Sequence, residues 1–179
     1  ARSSKLARAK PFWSILDDDG LKTATIGWLT TWPARSMERG IIVSDRAAYG
    51  QEDAIYPRGC VDPDALWTAA KEKQMQLLEN LSPELQEITT KVLASGSKTE
   101  ENKRIRAYLH DLEADIYKYL AAESLLAAED PPDLVSLVFK TTDLVQHKFW
   151  GFFDPQSFDL KSTPESEVMG QLIPGAYEQ

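Results

Sequence analysis

Two patterns of apolar residues divide this chain: short, nearly continuous apolar runs near its two ends, and helical periodicity through its middle. In residues 11–19, Phe12, Ile15 and Leu16 fall on one helical face, with Pro11 suited to a first turn and Gly20 to a stop. Residues 23–29 (TATIGWL) follow, rich in β-branched side chains, and predict a buried strand. Helix, glycine and strand in that order predict an αβ unit of a parallel sheet. Residues 30–63 hold Pro33, Gly40, Gly50, Pro57, Gly59 and Pro63 and read as a long irregular segment with a short strand at 40–44 (GIIVS).

Residues 64–128 contain one glycine and one proline, and their period is helical. Asp64 is the expected cap of a helix reaching about residue 81, with Leu66, Trp67, Ala70, Met75 and Leu78 on its buried side. Ser82 and Pro83 give an N-cap and a first helical position, Ser95-Gly96-Ser97 a break. Thr99 then starts a long helix with Ile105, Leu109, Leu112, Ile116 and Leu120 on one side. Pro131-Pro132 stops it. Residues 134–141 (LVSLVFKT) are almost continuously apolar, as a central parallel strand would be. A turn-rich stretch follows Trp150, and residues 166–179 predict a further helix interrupted at Pro174 and Gly175. The expected fold class is α/β, a partial parallel sheet with a helical insertion. Residues 1–63 and 131–179 would form the α/β body and 64–130 the insertion or cap.

Composition narrows the function more than the fold. The 179 residues are 42% hydrophobic and 27% charged, enough apolar side chain for one globular core. A formal net charge of -8 and a pI near 4.8 repel a phosphate backbone, so nucleic acid is not an expected partner. An anionic substrate would need a local positive centre, which a bound metal ion supplies. The single cysteine, Cys60, excludes an internal disulfide and is compatible with a reducing compartment. No apolar run of about eighteen residues or signal-peptide pattern is present, so a soluble, cytoplasmic rather than secreted location is expected, without membrane contact.

The segment richest in chemistry is residues 141–150 (TTDLVQHKFW), just beyond the apolar run. Ligands of open α/β sheets gather at the carboxyl ends of strands. Asp143 and His147 are four residues apart and share a direction on a helical turn. A carboxylate with an imidazole suits zinc or manganese, although a zinc site ordinarily takes at least three protein ligands. The plain alternative is a solvated aspartate and a packed histidine.

Other residues have competing readings. His110, near Asp111 and Asp115, reads as a helix-surface histidine rather than a third ligand. Asp17-Asp18-Asp19 lacks the spacing of a calcium loop and reads as a solvated helix end. Trp28 reads as core, whereas Trp32 is open between core and substrate pocket. Ser44-Asp45-Arg46 has no histidine to complete a nucleophilic trio. Phe149, Trp150, Phe152 and Phe153 form an aromatic group that either packs the metal loop or stacks on a substrate. Trp32 and Trp150 are therefore the weak substrate-binding candidates. Lys148 reads as a surface lysine, and Cys60, with only Arg58 near it, as a poor nucleophile.

The run DLVQHKFWGFFDP (residues 143–155) resembles the Asp-x-x-x-His segment of the type I phosphodiesterase / nucleotide pyrophosphatase branch of the alkaline phosphatase superfamily. FWSILDDDGLKTATIGWLTTWPA (12–34) resembles the family's helix–strand unit after its nucleophile, and GIIVSD (40–45) with Tyr56-Pro57 the loop beyond. Pro131-Pro132-Asp133-Leu134 also fits, while 64–128 agrees only in being a variable helical insertion. The resemblance implies an alkaline phosphatase-like fold. It implies Asp143 and His147 as ligands of one of two divalent metals, commonly zinc, in a hydrolase of small phosphate esters with a covalent intermediate. It also implies a Thr or Ser nucleophile before this segment and an Asp-His pair after it, so that no catalytic nucleophile lies in these residues and the chain by itself would not turn over.

Two alternatives remain beside that expectation. One is a non-catalytic interaction module, whose helical region binds a partner or mediates oligomerisation. The other stays in the superfamily: a sulfatase, phosphonate hydrolase or phosphomutase relative, which the Asp-x-x-x-His pattern does not separate.

Overall fold

Residues 3–6, 8–94, 99–161 and 164–177 are described by the computed structural model of the chain. The break expected at Ser95-Gly96-Ser97 lies outside them. Spatial contacts divide the chain into two units, Ala1–Lys71 with Ile116–Phe139 and Glu72–Asp115 with Lys140–Gln179. This partition follows contacts, whereas the boundaries at 63/64 and 130/131 follow composition. It passes through two helices, α2 (Pro63–Glu79) and α4 (Glu100–Leu126), each of which gives residues to both units.

The first unit is built on a four-stranded sheet. Its strands are β1 (Thr23–Ile26), β2 (Ile41–Val43), β3 (Ile55–Tyr56) and β4 (Leu134–Leu137), in the order β3-β2-β1-β4. β1 runs parallel to both β2 and β4, and β3 is antiparallel to β2. The central strand is therefore β1, buried at all four positions. β4, expected to be central, lies at an edge of the described sheet with Leu134 40% exposed. An apolar run reports that a strand is partly covered; it does not report whether both its edges are paired. Lys22 and Asp133 set the β1/β4 register at its start. The Lys22 N–H donates to Asp133 Oδ2 at 2.8 Å, and the Asp133 N–H donates back to Lys22 O at 2.7 Å.

β1 also ends three residues earlier than expected. Gly27 takes φ +73, and a Cβ there would lie 2.7 Å from Lys118 Cδ and 2.8 Å from Val138 O. Only glycine meets both demands without strain. The irregular segment after it holds β3 and a one-turn 3-10 helix at Ala47–Tyr49, neither of which was expected. Trp28 packs with Phe12 and Trp13 of α1 (Phe12–Asp18), and its Nε1 donates to Ser136 Oγ at 2.9 Å.

Asp17, read from sequence as part of a solvated helix end, is buried. Its carboxylate accepts the backbone N–H groups of Glu38, Arg39 and Gly40 at 2.7, 2.9 and 2.8 Å. Burial by itself would raise the carboxyl. The bonds from Arg39, Glu38 and Gly40, together with the charge of Lys10, outweigh it and hold Asp17 below the ordinary carboxylate value. The acidic run hid this because the partners lie more than twenty residues away.

The cap of α2 is Asp62, not Asp64. Asp62 Oδ1 accepts the N–H groups of Asp64 and Ala65, both at 3.1 Å, while Pro63 takes the first helical position, where its missing donor costs nothing. Within this unit the end of α4 buries Tyr117, whose ring lies 5.6 Å from Trp67 of α2. Lys118 is 1% exposed, and its Nζ donates to Val138 O at 3.4 Å.

The second unit is helical. Ser82 caps α3 (Pro83–Ala94) through Oγ to the Leu85 N–H, and Thr99 caps α4 through Oγ1 to the Asn102 N–H. Ile105, Leu109 and Leu112 are buried, as their spacing predicts, but Met75 of α2 is 53% exposed. One apolar side chain at the margin of a helical stripe does not fix which side it faces. α5 (Thr141–Phe153) packs against α6 (Pro164–Gly170) and α7 (Leu172–Tyr177). The interruption expected at Pro174 falls instead at Gln171, because Pro174 sits in the first turn of α7, where a proline is tolerated. A Cβ on Gly170 would lie 2.7 Å from Phe152 O, so a glycine lets α6 end against α5. Among the described residues no helix is long and apolar enough to cross a membrane.

Candidate functional site

α5 positions the candidate site by its two faces. Thr141, Val145 and Phe149 recur at i, i+4 and i+8 and are buried. Tyr108 of α4 meets Phe149 edge-on at 6.3 Å. Asp143, His147 and Trp150 recur at i, i+4 and i+7 on the opposite face. Asp143 Oδ1 and His147 Nε2 are 3.4 Å apart, and both side chains are 74% exposed.

That separation carries chemical information. Two ligands of a tetrahedral ion, each about 2.0–2.1 Å from it, lie roughly 3.3 Å from one another. One oxygen and one nitrogen at 3.4 Å match the spacing of two corners of such a site. A stabilising role is a weaker account, because a solvent-exposed ion pair contributes little to a fold. Among the described residues no group of three His, Cys, Asp or Glu side chains converges, so these residues fit part of a metal site rather than a closed one.

The nearby carboxylates do not extend the pair. Asp111 Oδ2 bonds Lys148 Nζ at 2.7 Å, with both side chains mostly covered. Lys148, read from sequence as a surface lysine, is half-buried and ion-paired to Asp111, the more covered partner. Asp115, 6% exposed, accepts the N–H groups of Lys140 and Thr141 through Oδ2, both at 2.7 Å. His110 is exposed on α4. Sequence named Asp111 and Asp115 only as neighbours of His110, although with Arg104, Tyr108 and Lys118 they form a stripe at 3.6-residue spacing beside the apolar face of α4.

The two substrate-binding candidates fall in different units. Trp150 is 40% exposed, shares the face of His147 and meets the Phe153 ring at 5.6 Å with the planes tilted by 54°. Trp32 is half-buried, and its Nε1 donates to Glu52 O at 2.9 Å. A cleft of about 520 Å³ at the far end of α5 is lined by Phe152, Phe153, Pro155, Leu160, Gly170 and Pro174 among others, and does not include Asp143 or His147. In the first unit, the Ser44 hydroxyl accepts the Arg46 N–H and Asp45 is buried, an arrangement within a turn that holds no nucleophile–base pair. Burial raises the Cys60 thiol above its ordinary value, which disfavours thiolate chemistry.

A mostly parallel sheet in the first unit, with helices in both units, makes this an α/β protein. The model of the type I phosphodiesterase / nucleotide pyrophosphatase family matches residues 1–173, and the chain belongs to that family, a branch of the alkaline phosphatase superfamily. No curated protein and no solved structure matches it.

Proposed function

We propose that this chain is part of a metal-dependent hydrolase of small phosphate esters, in which Asp143 and His147 ligate one of two divalent ions, zinc in the first instance. Family membership supports the hydrolase. The observation that carries the ligand assignment is the 3.4 Å separation of Asp143 Oδ1 and His147 Nε2 on an exposed helix face. A divalent ion bound there supplies Lewis-acid polarisation of phosphate oxygens and activation of water. The chain's own part is to hold the two donors in one direction. Asp143 offsets positive charge. His147 offers its imidazole Nε2 as the second donor. The reaction proposed is the family's two-step displacement, through a covalent ester on a Thr or Ser outside these 179 residues.

The test uses the intact protein that contains this chain. Zinc and manganese affinities are measured by competition with a chromophoric chelator, and turnover is followed with bis(4-nitrophenyl) phosphate. His147→Ala and Asp143→Ala are expected to weaken binding of one ion by about 10- to 100-fold or more, since losing even a ligand's hydrogen-bond partner costs that much. They are also expected to abolish metal-dependent turnover. Unchanged affinity in both variants would leave the pair as a surface ion pair and remove the assignment.

A further inference from the structure

α5 has no cap of its own. The residue before it, Lys140, makes no side-chain capping bond, and the first N–H groups of a helix require partners. The partner comes from another helix. Asp115 of α4 takes the N–H groups of both Lys140 and Thr141 on a single oxygen, at 2.7 Å each, in a buried setting. Further along, Asp111, one turn earlier on α4, holds Lys148, the residue next to His147, at 2.7 Å. Arg104 donates to Lys148 O at 3.1 Å and lies 5.5 Å above the Phe152 ring. Residues 104, 108, 111 and 115 thus form one stripe of α4 that meets α5 from its first residue to its last turn.

We propose that Asp115, assisted by Asp111, is a positioning residue for the Asp143–His147 pair. It fixes where α5 begins and how it is rotated, and so aims two donors that protrude into solvent and have no packing of their own to hold them. The physical reason is geometric. Asp143 sits in the first turn of α5, which frays when its N–H groups lack a partner, and fraying there would move Asp143 relative to His147. A rotation of α5 about its axis would swing both donors away from an ion that further ligands hold, and the Asp111–Lys148 ion pair opposes that rotation from the side. On this reading the helical segment between β3 and β4 is not an appendage, because α4 orients the ligand helix.

The inference rests on the metal-ligand reading of Asp143 and His147, and the experiment separates the two. In the intact protein, zinc affinity is measured for Asp115→Ala, Asp115→Asn, Asp111→Asn and His147→Ala, with amide hydrogen exchange at Lys140, Thr141 and Asp143 in the absence of metal. Asp115→Ala is expected to weaken zinc binding by about tenfold and to accelerate exchange at these amides. Asp115→Asn keeps an acceptor oxygen and is expected to restore both readouts to within about threefold of the parent. Asp111→Asn, which leaves the cap in place, is expected to weaken zinc with little change at the three amides. Should His147→Ala leave zinc affinity intact, the ligand reading fails and this proposal with it. Should His147→Ala weaken zinc while neither Asp115→Ala nor Asp111→Asn does, the ligand reading stands and the positioning role is overturned. If Asp115→Ala does not fold, Asp111→Asn and the parent's exchange decide: unprotected Lys140 and Thr141 amides together with parent-like zinc affinity in Asp111→Asn overturn the proposal.

Discussion

Asp17 in α1 and Asp143 in α5 are both helix carboxylates, placed in the two units of the chain, and their surroundings could hardly differ more. Asp17 is buried, and three backbone N–H groups from residues 38–40 close around it. Asp143 stands in solvent with one partner, His147, at 3.4 Å. A buried carboxylate is tolerated only when its oxygens are satisfied, and once satisfied and enclosed it has little left to offer a ligand. An exposed one is weakly held and keeps its lone pairs for whatever arrives. The comparison separates a carboxylate that holds the fold from one that is available for chemistry, and it does so by hydrogen-bond accounting rather than by residue type.

The largest effect should come from breaking the buried member. Asp17→Ala leaves three donors without partners and is expected to destabilise the protein by about 3 kcal/mol or more, read as a fall in the urea midpoint. The same carboxylate gives an acid limb. Because its folded value lies below 3.8, its contribution is complete above that value and disappears as the pH falls through the lower, folded one. An acid titration of Asp17→Ala should therefore be flatter below pH 4 than that of the parent. Equal slopes would show that the three bonds do not stabilise the charged form.

A second buried acid gives the opposite limb. Burial, aided by the nearby charges of Cys60, Asp64 and Asp62, pushes the Tyr117 hydroxyl from 10.0 up to about 12. The folded state then holds its proton more tightly than the unfolded chain does. Its contribution is present below pH 10 and is lost as the pH rises towards 12. Tyr117→Phe is expected to remove that alkaline loss. Since the hydroxyl is buried without a hydrogen-bond partner, the variant should be no less stable than the parent at neutral pH.

The smallest effect on stability belongs to the exposed member. His147→Ala and Asp143→Ala should leave the urea midpoint where it is, because a solvated ion pair contributes little. A clear fall in either variant would erase the contrast with Asp17 and make the pair structural.

Local pattern made much of this legible. The β-branched run at 23–26, the Ser82 and Thr99 caps and the apolar stripe of α4 all follow from period and capping chemistry, which act over a few residues. The i, i+4 spacing that aims Asp143 and His147 together is equally local, and the motif around them carried the family resemblance that the match over residues 1–173 supports. Readings failed where partners lie far apart in sequence. The cap of α2 moved from Asp64 to Asp62 because of two local bonds, but Asp17 needed residues 38–40, and Lys148 needed Asp111, 37 residues away.

The sequence by itself determined the strand and helix runs, the α/β class and the pair at 143 and 147, because propensity, period and spacing are properties of neighbours. The tertiary structure alone decided that β1 rather than β4 is central, that Asp17 is sealed within the first unit, and that α5 takes its cap from Asp115. Each of these depends on which distant donor or strand edge reaches a group, and buried polar groups are settled only when the whole chain has supplied their partners.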